Sequence, residues 1–470
     1  MTSASPPEPL VSSDLAERVL ATALANGGDF AELFCERRDG LGLAIDESRV
    51  ERVQRGAERG AGVRVVAGET TYFAHVDGLA EADLERAAGA AAAALRGERS
   101  EPQALSALDA ATPQEIVIEP GAVAAEHKAD LLRACDERSR SLGPEIAQVM
   151  ASYSEGRRRI TVASSTGRFA ADERTRVRLG VQVVARRDEV VETGFETRGG
   201  HRGFELLDGG EAEAVAEQAA KAALTLLGAD PAPAGAMPVV VGGGFGGVLF
   251  HEMTGHGLEA DHVQKGASVY AGRMGEEVAQ PHLTAYDDGR MPGEWGTDGV
   301  DDEGTPTQRT PLIEDGRLTG QLYDLLRARR DGSESTGNGR RESFRHLPIP
   351  RMTNTFIAPG EGTPEELISE VERGFYAVSF AGGQVDPTTG DLVFGVSEGY
   401  LIESGEVTKP CRGATLIGNC LDALRAIDAV ASDFEMKTGF CGKEGQRVPV
   451  GTGQGHVRIG ELTVGGTAVG

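Results

Sequence analysis

Residues 228–238, GADPAPAGAMP, divide the chain into two halves with different patterns. The segment is rich in Pro, Gly and Ala and lies between two periodic stretches, which marks a connection rather than an element interior. Before it, apolar residues recur at helical spacing in 10–26, 81–97 is a helix on propensity alone, and further helices are expected over about 124–142 and 209–227. The first of these helices has Ser12 or Ser13 and Asp14 as start signals. Between the helices, FAELFCERR, LGLAIDESRVERVQ, GAGVRVVAGETTYFAHV, AQVMASYSEGRRRITVASSTG and RTRVRLGVQVVARRDEVVETGFETRG read as antiparallel strands. Residues 98–118, with Pro102 and Pro113, read as a loop leading to a short strand. After the divide, glycines separate short β-like runs such as LTAYDDG, GRLTGQLYD, AVSFAGGQVD and HVRIGELTVGGT. Helices there are few: one through HEMTGH, one near 364–374 and one near 419–431. The expected fold is α+β. An N-terminal α/β domain spans residues 1–229, and a C-terminal, mainly antiparallel, barrel-like domain spans residues 230–470 and carries the HEMTGH helix.

Bulk properties narrow the function classes. No run approaches the roughly 18–20 apolar residues that a membrane span needs. The start, MTSASPPEPLVSSD, has neither a basic beginning nor an apolar stretch, so no signal peptide is expected and a cytoplasmic location is. A formal net charge of −26 argues against binding nucleic acid or anionic membranes. It fits cationic or neutral substrates, or only a solvated surface. The five cysteines, an odd count without a secretion signal, give no disulfide framework.

The chemistry concentrates in VVVGGGFGGVLFHEMTGHGLEADH, residues 239–262. A zinc peptidase helix normally carries two histidines four residues apart, with a glutamate after the first. Here His251 and Glu252 fit, but the second histidine, His256, comes one residue late. At ~100° per residue, four positions return to within ~40° of the start and five leave ~140°. A regular α-helix would hold the two imidazoles apart. A π-type turn, or a helix that kinks or ends before His256, would bring them together. The flanking Gly255 and Gly257 tolerate the backbone angles that either solution needs. Without such a repair the pair is two helix-end histidines bonded to backbone. The glycine turn resembles a phosphate loop, but no lysine follows it and GxGxxG spacing with a distant acid is missing, so a nucleotide-binding enzyme is only a third reading, testable by nucleotide titration.

If a metal binds, it acidifies a water molecule, and a carboxylate such as Glu252 accepts the proton. A catalytic zinc site needs a third protein ligand and an open position. Glu259, Asp261, His262, His282 and Cys441 are candidates on chemistry alone. Glu259, three residues after His256, shares its face, and Cys441 would be a soft thiolate in a glycine turn. Chemistry does not choose between them.

Three separated motifs, HEMTGHGLEAD, GNGRRESFRHLPIPRMTNTFIAPG (337–360) and FCGKEGQRVPVGTG (440–453), together resemble the TldD/TldE (PmbA) metallopeptidase family. VSEGYLIESGE and GNCLDALRAIDAVASDF add to the resemblance, which covers most of the chain and is strongest from about 237 to 465. Family members with the histidine motif are the active TldD type; TldE-like chains lack it. The resemblance implies one Zn²⁺ per active chain, held by His251, His256 and Cys441, with Glu252 as general base. Glu259 would then orient a histidine. It favours site-lining roles for Arg351 and Asn354, and a role for His346 in stabilising an oxyanion. Arg340, Arg341, Arg345 and Arg351 stand out in an acidic chain, either as anchors for a substrate carboxylate or as structural ion pairs. His262 reads as a surface histidine. The implied activity is cleavage of flexible or unfolded peptides, in maturation of modified peptides or in degradation. Substrate would bind extended, as an added strand, in a cavity enclosed by dimerisation with a TldE-like partner or a second copy. The rival reading is a non-catalytic peptide-binding scaffold or partner subunit, with structural metal or none.

Overall fold

The computed structural model describes residues 7–108 and 114–466. Pro113 and residues 1–6, part of the expected loop and of the N-terminal stretch, lie outside the described residues. The architecture is mixed α and β, as expected.

Among the described residues the first half builds one seven-stranded sheet. Its opening strands are β1 (Phe30–Asp46), β2 (Arg49–Ala67) and β3 (Thr70–Asp77). They are longer than the sequence pattern suggests, because β1 runs straight through Gly40. The hairpin between β1 and β2 turns at Glu47 and Ser48, both with positive φ. Neither residue type favours positive φ, which is why DESRVERVQ reads as one strand. The strands Ile146–Ser164, Arg168–Arg187 and Val190–Gly200 complete the antiparallel run. The helices Ser13–Ala23 and Glu81–Ala92 bury alanines and leucines against one part of the sheet. The helices Ala125–Arg140 and Glu211–Leu227 cover another part. In the loop from 98 to 118 the short strand is Ser106–Ala107, earlier than expected, and it pairs in parallel with Arg168–Phe169.

The segment around 230 is tied into the second half. Asp230–Pro231 pairs with Cys411–Arg412, and Gly235–Val241 is a strand. That strand, with Val457–Gly465, Thr415–Asn419, Asp391–Glu403 and Arg373–Val385, closes on itself as a five-stranded barrel. A further six-stranded sheet includes the hairpin Glu435–Lys443/Gln446–Gln454. The pairing is mainly antiparallel, with parallel contacts at Phe375–Ala377 on Val239–Val241 and at Asn354–Phe356 on Gly451–Gly453. One apolar core fills the space between these sheets and the HEMTGH helix.

Buried charge joins the two halves. Arg64 reaches Glu32 at 2.8 Å and Glu303 at 2.6 Å. Arg174 reaches Asp172 at 2.9 Å, Asp298 at 3.1 Å and Asp302 at 2.7 Å. Arg341 pairs with Glu32 and donates to the Asp302 carbonyl. Ions this deep repay their desolvation only when multiply paired, so the network fixes geometry more than it adds stability.

Candidate metal centre

The strand Gly235–Val241 delivers the chain into a glycine turn and then a helix that begins at Gly247. From His251 to Gly255 the helix widens into a π-type turn, and at His256–Leu258 it tightens into a 3₁₀ turn. An i→i+5 turn places residue 256 over residue 251, which an α-turn does not. The widening resolves the odd spacing. Gly255 serves a different purpose from the expected one. Its φ of −58° and ψ of −57° are ordinary right-handed values. A Cβ there would overlap the Met352 sulfur, so the requirement is close approach. At Gly257 a Cβ would come within 2.6 Å of the Tyr270 ring.

Two imidazoles now converge on one sulfur. His251 Nε2 lies 3.4 Å from Cys441 Sγ, and His256 Nε2 lies 3.0 Å from it. The three donor atoms lie within 4.8 Å of one another. Donors around a tetrahedral zinc stand about 3.5 Å apart, so the set fits such an ion with little movement. His251 and Cys441 are buried and His256 nearly so. The His251 Nδ1 is buried and has no hydrogen-bond partner among the described residues. Burial opposes ionisation of the Cys441 thiol, but the adjacent His251 and His256 outweigh it and hold the pKa well below the usual thiol range. Burial likewise opposes the His256 cation, while Glu259 and Cys441 lift its pKa well above the ordinary value. A thiolate and a carboxylate thus create a strongly cation-attracting point at His256, which suits a metal of charge +2.

Glu252 is partly exposed beside the cluster. Its Oε2 lies 3.8 Å from His256 Nε2, and its side chain keeps 23% exposure. Glu259 is fully buried and accepts from His256 Nδ1 at 3.0 Å. It does not point at the sulfur. Despite its burial its pKa falls to about 2, with His256 and then Lys443 holding the carboxylate. Arg351 is fully buried, donates to the Cys441 carbonyl at 2.5 Å and to the Gln446 carbonyl at 3.3 Å, and lies 3.6 Å from Glu259. It clamps the hairpin to the helix. Asn354 is fully buried too, and its amide is used by Gly296, Asp288 and Thr297. His346 bonds Ser343 in its own loop at 2.8 Å. Of the other arginines, Arg340 lies 3.5 Å from Asp298, Arg341 pairs with Glu32, and Arg345 pairs with Glu58 and Asp77. Their environment is that of structural ion pairs. His262 is partly buried, with Nδ1 on the His256 carbonyl at 3.0 Å, and His282 is exposed. Sequence reasoning missed Lys443. It lies two residues after Cys441 on one strand and therefore on the same face. Its ammonium is 2.6 Å from Asp261 and 3.0 Å from Glu259.

His251, His256 and Cys441, beside Glu252 on a π-widened helix, form a donor set that could hold a metal ion. Family models for the PmbA/TldA metallopeptidase match in three parts: domain 1 over residues 31–95, the central domain over 118–227 and the C-terminal domain over 234–466. The "Metalloprotease TldD homolog" of Haemophilus influenzae is 40% identical over 449 residues, 93% of each chain. Crystal structures share the fold at lower identity. One from Thermotoga maritima has a TM-score of 0.81 at 22% identity, covering 96% of this chain and 99% of that one. TldE from Thermococcus kodakarensis gives 0.75 at 20%, with coverage of 96% and 99%. The chain belongs to the PmbA/TldD metallopeptidase family, on its TldD side. Among the described residues no helix is long and apolar enough to cross a membrane.

Proposed function

We propose that this chain is a zinc-dependent peptidase of the HExxxH type, acting on flexible or unfolded peptides. The observation that carries the reading is the convergence of both imidazole Nε2 atoms on the Cys441 sulfur, with the Glu252 carboxylate beside them. His251 and His256 would hold zinc as neutral donors and Cys441 as thiolate. A His₂Cys set leaves a coordination position open, as catalytic zinc sites do. When bound, zinc supplies Lewis acidity for a carbonyl oxygen and for water. Glu252 takes a proton from water on the open side and returns it to the leaving amine nitrogen. Glu259 holds His256 with Nε2 aimed inward by taking the Nδ1 proton in a hydrogen bond.

The substrate binds extended, through its backbone, which permits varied sequences. Maturation of modified peptides or degradation of small unfolded proteins are the corresponding roles. The working unit is a dimer with a TldE-like partner or with a second copy, in the cytoplasm. The division between the halves falls at residues 229/230.

The test is Glu252→Gln, assayed on unstructured peptides with and without a TldE-like chain. The variant should keep its zinc and lose ~10²–10⁴-fold in cleavage, the usual worth of a general base. Undiminished hydrolysis by pure variant would sink the mechanism. Wild type that holds zinc and binds peptide but cleaves nothing in any pairing would make the scaffold reading lead.

A further inference from the structure

A second group of potential ligands lies next to the first. Glu259, Asp261 and His262 bring their donor atoms within 4.8 Å of one another. Two buried carboxylates and an imidazole beside a His–His–Cys set would suit a pair of metal ions. The space between the carboxylates, however, is taken. Lys443 Nζ is 2.6 Å from Asp261 Oδ1, 3.0 Å from Glu259 Oε2 and 3.3 Å from the Pro350 carbonyl. The Lys443 side chain is 5% exposed, that of Asp261 2%, and that of Glu259 fully buried. His262 spends its Nδ1 on the His256 carbonyl. This is an ammonium held by oxygens alone, as a hard cation would be.

We propose that Lys443 is a built-in cation standing where a second metal ion would sit, and that it positions His256 through Glu259. Glu259 Oε2 meets both His256 Nδ1 and Lys443 Nζ at 3.0 Å. Its other oxygen has no hydrogen bond among the described residues, and Arg351 stands 3.6 Å away. Lys443 is thus the closest charge fixing the carboxylate that fixes the imidazole. The chain pattern delivers this directly. Cys441 and Lys443 share one face of a strand, and His256 and Glu259 share one face of a helical turn. The two faces meet, so one hairpin supplies both a metal ligand and the cation that orients another ligand. The centre is thereby mononuclear. Lys443 is a positioning residue, and this role rests on the zinc reading above.

The experiment follows zinc loss to a chromogenic chelator from wild type and Lys443→Ala, each with and without millimolar Mg²⁺. Wild type should release zinc slowly and ignore Mg²⁺. The variant should release it ~10–100-fold faster, the usual effect of losing an outer partner of a ligand. Mg²⁺ should then slow the variant, because it can enter between the freed carboxylates. Equal release by both proteins, or fast release that Mg²⁺ leaves untouched, would overturn the proposal. If Lys443→Ala does not fold, Asp261→Asn keeps the lysine but loosens it. A several-fold faster release that Mg²⁺ does not correct is then expected, and an unchanged rate would overturn the proposal. Wild type that takes up no zinc at all would instead refute the zinc reading itself.

Discussion

Cys441 Sγ lies 3.0 Å from His256 Nε2, although 185 positions separate them in the chain. Such a contact joins a helix to a strand of a different sheet, and only the completed fold makes it. Metal affinity should therefore report on tertiary structure. Protein purified without added metal should hold about one zinc per chain, since the neighbouring acid cluster is filled by Lys443. In Cys441→Ala the content should fall towards zero, because two histidines alone are a poor site. Elemental analysis decides it. Full zinc in the variant would remove Cys441 from the ligand set.

Arg351 donates to both strands of the hairpin, at the carbonyls of Cys441 and Gln446, and stands 3.6 Å from Glu259 at the end of the helix. Arg351→Met fills similar space but takes the arginine donor away from both carbonyls. The expected loss is on the order of 3 kcal/mol, since each buried unpaired acceptor costs about 1–3 kcal/mol. Added zinc should restore part of that loss, because a ligand that binds only the folded state stabilises it. Thermal unfolding with and without zinc measures both effects. A variant as stable as wild type would show that the clamp carries no load.

Much of the site could be read from the sequence, and the reasons are physical. The five-residue interval between His251 and His256 lets both reach one metal only through a widened or broken helix, and a π-type turn is present. Strand periodicity likewise makes Lys443 face the same way as Cys441, a signal that a search for metal ligands alone passes over. Other features left no local trace. The Glu47–Ser48 turn puts two residues that do not favour positive φ in that region. The barrel closes through pairs such as Phe375–Val239 and Thr415–Gly465, whose partners lie far apart in sequence. Gly255 shows its purpose only against Met352.

That contact gives a further test. Gly255→Ala should destabilise the protein by roughly 1–3 kcal/mol, as overpacking does, and should weaken zinc binding by moving His256. Met352→Ala alone should also destabilise, by leaving a cavity. The double variant should be more stable than the sum of the two losses, because the new methyl occupies space that the side chain vacates. Simple additivity in denaturant unfolding would mean that the two residues do not compete for one volume.

Asp324 connects stability to pH at the seam between the halves. It caps the helix Leu325–Asp331 by accepting from the Arg327 N–H, and it is almost fully buried. Burial, and then the neighbouring Glu303 charge, raise its pKa from 3.8 to about 7. The folded protein therefore holds a proton there that the unfolded chain gives up near pH 4. Stability from this group is complete below that unfolded value and drains away as pH rises towards 7, the reverse of an ordinary salt-bridged aspartate. Asn accepts the same cap bond and carries no charge. Asp324→Asn should thus match wild type at pH 4.5 more closely than at pH 8, where it should be the more stable by on the order of 1–3 kcal/mol. Unfolding curves across that range, taken on metal-loaded protein, give the difference directly. A gap that stays constant or narrows with rising pH would mean that Asp324 is already ionised in the native state.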